Sequence, residues 1–109
     1  MIIISKHLVP RGYLGITVFP FVFLNSKWLK HNKTLINHEK IHLKQQLELL
    51  VIPFYILYLG EFLIKLVTYR NWNMAYRNIS FEREAYVNEK DLDYLKSRPF
   101  LNFINYMYY

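Results

Sequence analysis

Cysteine is absent from this 109-residue chain. Disulfides and thiolate metal sites are therefore excluded, and any zinc must be held by histidine and carboxylate. Acidic residues are scarce: eight Asp and Glu stand against fourteen Lys and Arg, a formal charge of +6. The basic residues form no run. Lys27, Lys30, Lys33, Lys40 and Lys44 are spaced like the wet side of a helix and its approach. Without a basic run or a nucleic-acid motif, the pattern does not suit DNA or RNA, whereas it is compatible with an anionic membrane surface. No apolar stretch runs unbroken for the ~20 residues of a membrane span; the one that starts at Leu49 is interrupted by Pro53, Gly60, Glu61 and Lys65. The opening Ile2-Ile3-Ile4 is too short for a secretory signal, and no small-residue cleavage site follows. The reading is a cytoplasmic or membrane-associated protein with no signal peptide and no internal repeat. What the chain has in quantity is apolar surface: 53% hydrophobic residues, with ten Tyr and eight Phe. That is more than one modest core needs, and it points to a partner surface or membrane face as well.

Residues 1–24 read as extended, with a turn at Pro10 and Gly12. Tyr13 to Leu24 is rich in Ile, Val, Phe and Thr, and Pro20 within it marks an edge strand or a strand break, because proline cannot donate to a ladder. A helix is predicted over residues 33–52, capped by Asn32 or Thr34 and free of glycine and proline until Pro53. A second is predicted over 54–69. It admits three readings in order of preference: a buried helix, an in-plane membrane helix, or a poor span. A third is predicted over 74–96, where Phe81, Ala85, Asn88, Leu92 and Leu95 make a stripe and Arg98-Pro99 ends it. The aromatic tail Phe100–Tyr109 is expected to dock on the core or on a partner. The fold class is α+β, mostly α: a single domain over residues 1–109 with a short N-terminal β-hairpin or edge strand and three helices.

His38-Glu39-Lys40-Ile41-His42 lies in the first of these helices and reads H-E-x-x-H. At about 100° per residue the two histidines share one face, one turn apart, where both can reach one metal ion. Glu39 is rotated off that pair but stays close enough to serve as general base toward a water activated at the metal. His7 and His31 read as ordinary loop residues. Catalytic zinc takes three protein ligands, and the downstream carboxylates are Glu48, Glu61, Glu82, Glu84 and Glu89. Glu48 is about 9 Å of helical rise beyond His42, too far to close on the same ion. Glu61 is spaced for a pair with Lys65. Glu82 borders the Phe81/Ala85 stripe of a helix that can fold back on the first, while Glu84 points away, so geometry favours Glu82.

Asn37–Gln46, followed about forty residues later by Phe81-Glu82-Arg83-Glu84-Ala85-Tyr86, resembles the core of gluzincin metallopeptidases. It is most similar to the BlaR/MecR-type antirepressor peptidases and the HtpX-type peptidases, which pair H-E-x-x-H with E-x-x-A-D. The resemblance covers roughly residues 16–95. It implies a minimal zincin-like core that uses Zn2+ to hydrolyse peptide or protein substrates. In that match His38, His42 and Glu82 are the metal ligands, Glu39 is the catalytic base, and Ile16–Leu24 is the strand that pairs with substrate. Tyr86 stands where those families keep an Asp, and the chain is far shorter than theirs. The other function class compatible with the residues is a non-catalytic, zinc-stabilised module at a membrane or partner surface.

Overall fold

The computed structural model describes residues 2–10 and 12–107; the last two tyrosines of the aromatic tail lie outside the described residues. Three strands, β1 (Ile2–Ile4), β2 (Gly15–Val18) and β3 (Phe21–Leu24), form one sheet in the order β1-β3-β2. β2 and β3 are an antiparallel hairpin in which Ile16 faces Phe23 and Thr17 faces Val22. β1 joins β3 in parallel, Ile3 opposite Phe23. Pro20 sits in the hairpin turn after a cis Phe19–Pro20 bond. It breaks the Tyr13–Leu24 run into two strands and leaves β2 as the sheet edge.

Helix α1 (Lys33–Glu48) follows, and the Asn32 side chain accepts a hydrogen bond from the Leu35 N–H at 3.1 Å, as an N-cap should. One apolar flank of α1 packs Leu35, Ile36 and Leu43 on Val22, Leu24 and Leu29 beneath the sheet. Its most buried positions are otherwise polar: Asn37, His38, Glu39, His42, Gln45 and Gln46, with Ile41 the one apolar member. A helix that turns polar groups inward must supply each with a partner, and these partners fix the rest of the molecule.

Leu50 and Val51, both at positive φ, end α1 short of the predicted residue 52. Pro53 then falls at the start of α2 (Ile52–Tyr69), where a missing N–H costs nothing. Helix α2 does not take the buried reading preferred from sequence. Only 6% of it is buried, and Ile56, Leu63, Ile64 and Val67 face outward. By length and composition it is apolar enough to cross a membrane. One side touches the core through Phe54, which joins Phe81, Ile79 and Phe103 with Tyr58 and Phe62 alongside. Phe103 brings the tail onto this cluster, 4.4 Å from the Phe81 ring.

The predicted third helix is three: α3 (Trp72–Arg77), α4 (Ser80–Asn88) and α5 (Tyr94–Ser97), giving five α-helices among the described residues in place of three. The first break has a long-range cause. Glu61 does not pair with Lys65 as its spacing suggested. It accepts from the Ser80 N–H at 3.0 Å and the Ser80 hydroxyl at 2.6 Å, placing a carboxylate at the start of α4. At the other end, the Asn37 amide donates to the carbonyls of Glu89 and Asp91, each at 2.9 Å. Both ends of α4 are thereby fixed by side chains from other helices, and Ala85 packs on Ile41 of α1. Leu92, which the stripe placed inward, is exposed beyond the second break.

Candidate metal centre

Helices α1 and α4 bring His38, His42 and Glu82 together. The two imidazole Nε2 atoms are 3.2 Å apart, and Glu82 Oε1 lies 3.1 Å from that of His42 and 3.4 Å from that of His38. Three ligands at about 2.0–2.1 Å from a tetrahedral zinc are separated by about 3.3 Å, so this triangle has the dimensions of one face of such a site. All three residues are buried. Two facing ring nitrogens and a carboxylate oxygen at these distances suit a shared cation, either a metal ion or a proton. The His42 ring responds accordingly. Burial alone would lower its pKa, but Glu82, then Glu39 and Gln45, raise it to about 9. Burial would likewise raise Glu82, yet the two imidazoles hold its carboxyl well below the usual range.

Each ligand-type atom is oriented from behind. Gln45 Oε1 lies 2.8 Å from His42 Nδ1, which assigns the ring proton to Nδ1 and turns the Nε2 lone pair toward the cluster. Gln45 is itself held, donating to Phe81 O and Glu84 Oε1. Behind His38, Glu89 Oε1 lies 3.6 Å from Nδ1. Tyr58 donates to Glu82 Oε2 at 2.6 Å, leaving Oε1 for the cluster. Tyr86 packs its ring edge-on against His38 at 4.5 Å, with the Arg77 guanidinium 3.8 Å over it. The carboxylate behind His38 is that of Glu89, three residues beyond Tyr86 and farther than a hydrogen bond reaches.

Glu39 is buried next to the edge strand, accepting from the Thr17 hydroxyl at 2.6 Å. It lines a cleft of about 460 Å³ with His42 and Glu82; Gly15, Thr17 and Val18 form one wall, and Tyr58, Leu59 and Phe62 of α2 another. Trp72 and Tyr76 of α3 complete the lining. Gly15 fits closely here: a Cβ would meet Leu24 Cδ2 at 3.0 Å and Phe23 O at 3.1 Å, so a side chain enters only if these neighbours shift.

The other carboxylates lie elsewhere. Glu84 does point away from the cluster, but into the interior, where it binds Arg98, Tyr94 and Gln45. Glu48 meets Arg98 at 2.7 Å and accepts from Leu101 N. Sequence reasoning passed over Asn37, Gln45, Gln46 and Tyr58. For Gln45 and Gln46 a signal was available: uncharged amides on the same helical face as the two histidines. Tyr58 carries none, being one of ten tyrosines. Compared with protein-family models, curated proteins and solved structures, the chain matches none.

Proposed function

We propose that the protein is a zinc-dependent metallopeptidase of gluzincin type, with His38, His42 and Glu82 as the metal ligands and Glu39 as general base. The observation that carries this reading is the buried triangle with edges of 3.1–3.4 Å, beside which a second buried carboxylate, Glu39, opens onto a cleft. A bound zinc ion supplies Lewis acidity, polarising a carbonyl and making water a nucleophile near neutral pH. The chain's own residues do the rest. Glu39 accepts the proton of the attacking water as its oxygen bonds to the carbonyl carbon. It then returns that proton to the amine as the C–N bond breaks. Thr17 holds the Glu39 carboxylate toward the cleft wall during both transfers. Of the tyrosines that line the cleft, Tyr55 and Tyr58 already donate to Thr17 O and Glu82, and Tyr76 is one that can donate to the carbonyl oxygen. The aromatic and aliphatic lining favours a bulky apolar residue next to the scissile bond.

Glu39→Gln keeps the side-chain volume and removes the base. It is expected to reduce hydrolysis of an unstructured peptide at least about a hundredfold while zinc content stays unchanged. Equal rates for wild type and variant would refute the assignment. The exposed apolar side of α2 supports a second element of the reading, attachment to an anionic membrane surface. Such attachment is compatible with catalysis and also with a non-catalytic zinc-stabilised module. Zinc-loaded protein that sediments with anionic vesicles yet cleaves no peptide would favour the module.

A further inference from the structure

The outer edge of β2 is half closed by a side chain. Asn25 N donates to Leu14 O at 2.9 Å, so Leu14 and Asn25 are a hydrogen-bonded pair of the hairpin. Antiparallel pairs alternate, and the backbone groups of Gly15 and Thr17 therefore face away from β3, toward the cleft they line. At Thr17 the carbonyl accepts from Gln46 Nε2 at 2.8 Å and from the Tyr55 hydroxyl at 2.9 Å. Both lone pairs of that oxygen are used. Two residues on, Phe19 N donates to Gln46 Oε1 at 2.7 Å. The Gln46 amide thus makes the two bonds that one residue of a neighbouring strand would make through its N–H and its C=O. It is buried and anchored on α1, one turn beyond His42. The Tyr13 N–H is taken by Pro10 O. Among the described residues nothing takes Gly15 N–H, Gly15 C=O or Thr17 N–H, and these remain for an incoming strand.

We propose that Gln46 is a specificity-determining residue that ends the pairing of substrate with β2 at Thr17. An extended peptide gains the open groups at Gly15 and Thr17, beside Glu39, and no ladder bond beyond them. The substrate class is therefore a peptide with a short extended segment at the scissile bond, terminating or bending away at the Phe19 end. An edge capped in this way also gives little purchase to strands of other proteins. The proposal rests on the peptidase reading for the identity of the substrate.

The test compares wild type with Gln46→Leu on blocked alanine peptides carrying one central phenylalanine and lengthened a residue at a time at either end. In wild type, KM stops falling after the first residues at one end. In Gln46→Leu, two further residues at that end lower KM about fivefold to tenfold with kcat unchanged, the effect of restored backbone bonds. Identical length profiles in the two proteins would overturn the proposal. Tyr55→Phe, which frees one lone pair of Thr17 and keeps Gln46, gives a smaller shift in the same direction and serves if Gln46→Leu does not fold. Should no peptide be cleaved by any of these proteins, the peptidase reading falls, and amide hydrogen exchange decides the pairing alone. The longest peptide, in excess, then slows exchange at Gly15 and Thr17 in wild type, and at Phe19 as well in Gln46→Leu. Protection at none of these amides, or the same change at Phe19 in both proteins, would overturn it.

Discussion

Replacing Tyr58 with phenylalanine removes one oxygen atom from the support of Glu82 and little else. The ring stays where it packs, 5.6 Å from Phe54 and 6.1 Å from Phe81, centroid to centroid. What is lost is the 2.6 Å bond from the hydroxyl to Glu82 Oε2. A hydrogen bond to a charged acceptor contributes about 1.5–3 kcal/mol, which corresponds to at least about tenfold in an equilibrium constant. Partners that orient a metal ligand affect metal affinity by about 10–100-fold. Both routes give the same range, so Tyr58→Phe is expected to weaken zinc binding tenfold to a hundredfold. The assay is competition with a chromogenic chelator at fixed pH and ionic strength, with a thermal melt of the metal-free variant to show that the fold persists. Zinc affinity within about twofold of wild type would refute the view that Glu82 is held in place by Tyr58 for the metal's sake.

Two further outcomes follow from the buried charges. In metal-free protein, His42 titrates at about 9 when folded against 6.5 unfolded, so its stabilising share is complete below 6.5 and is lost as pH rises through 9. Glu82 is shifted down, so its share is present above 4.5 and lost as pH falls below that. Melting scans of chelator-treated protein should therefore peak between these limits and decline toward pH 9; a flat profile across the alkaline range would contradict the pairing. Separately, Arg98 has no exposed side chain and bridges Glu84 and Glu48. Arg98→Ala strands two buried carboxylates and should cost about 3–5 kcal/mol in urea unfolding, against little change if the tail were merely laid on the surface.

The sequence made α1 legible because its information is local: the Asn32 cap, the unbroken run to Glu48 and the one-turn spacing of His38 and His42. Glu82 was reachable because its place on the edge of the Phe81/Ala85 stripe depends on one inference, that the downstream helix folds back. What stayed hidden is set by distant partners. The break before Ser80 depends on Glu61, nineteen residues earlier. The exposure of α2 was hidden because only the side carrying Phe54 and Tyr58 meets the Phe81 cluster, a contact set by residues far along the chain. Gln45 and Gln46 look like solvated helix residues until α4 and β2 arrive on either side. Glu84 does face away from the histidine cluster, but its interior role needs Arg98, which lies beyond the helices the periodicity could see.

The central claim is that His38, His42 and Glu82 are one metal site, and zinc content per chain tests it most directly. Wild type, His42→Ala and Glu82→Ala are each supplemented with zinc, freed of excess by gel filtration and measured by atomic emission, with circular dichroism confirming the fold. The account predicts about one zinc per chain in wild type and nearly none in either variant. Full occupancy in Glu82→Ala, or no zinc in supplemented wild type, would contradict it.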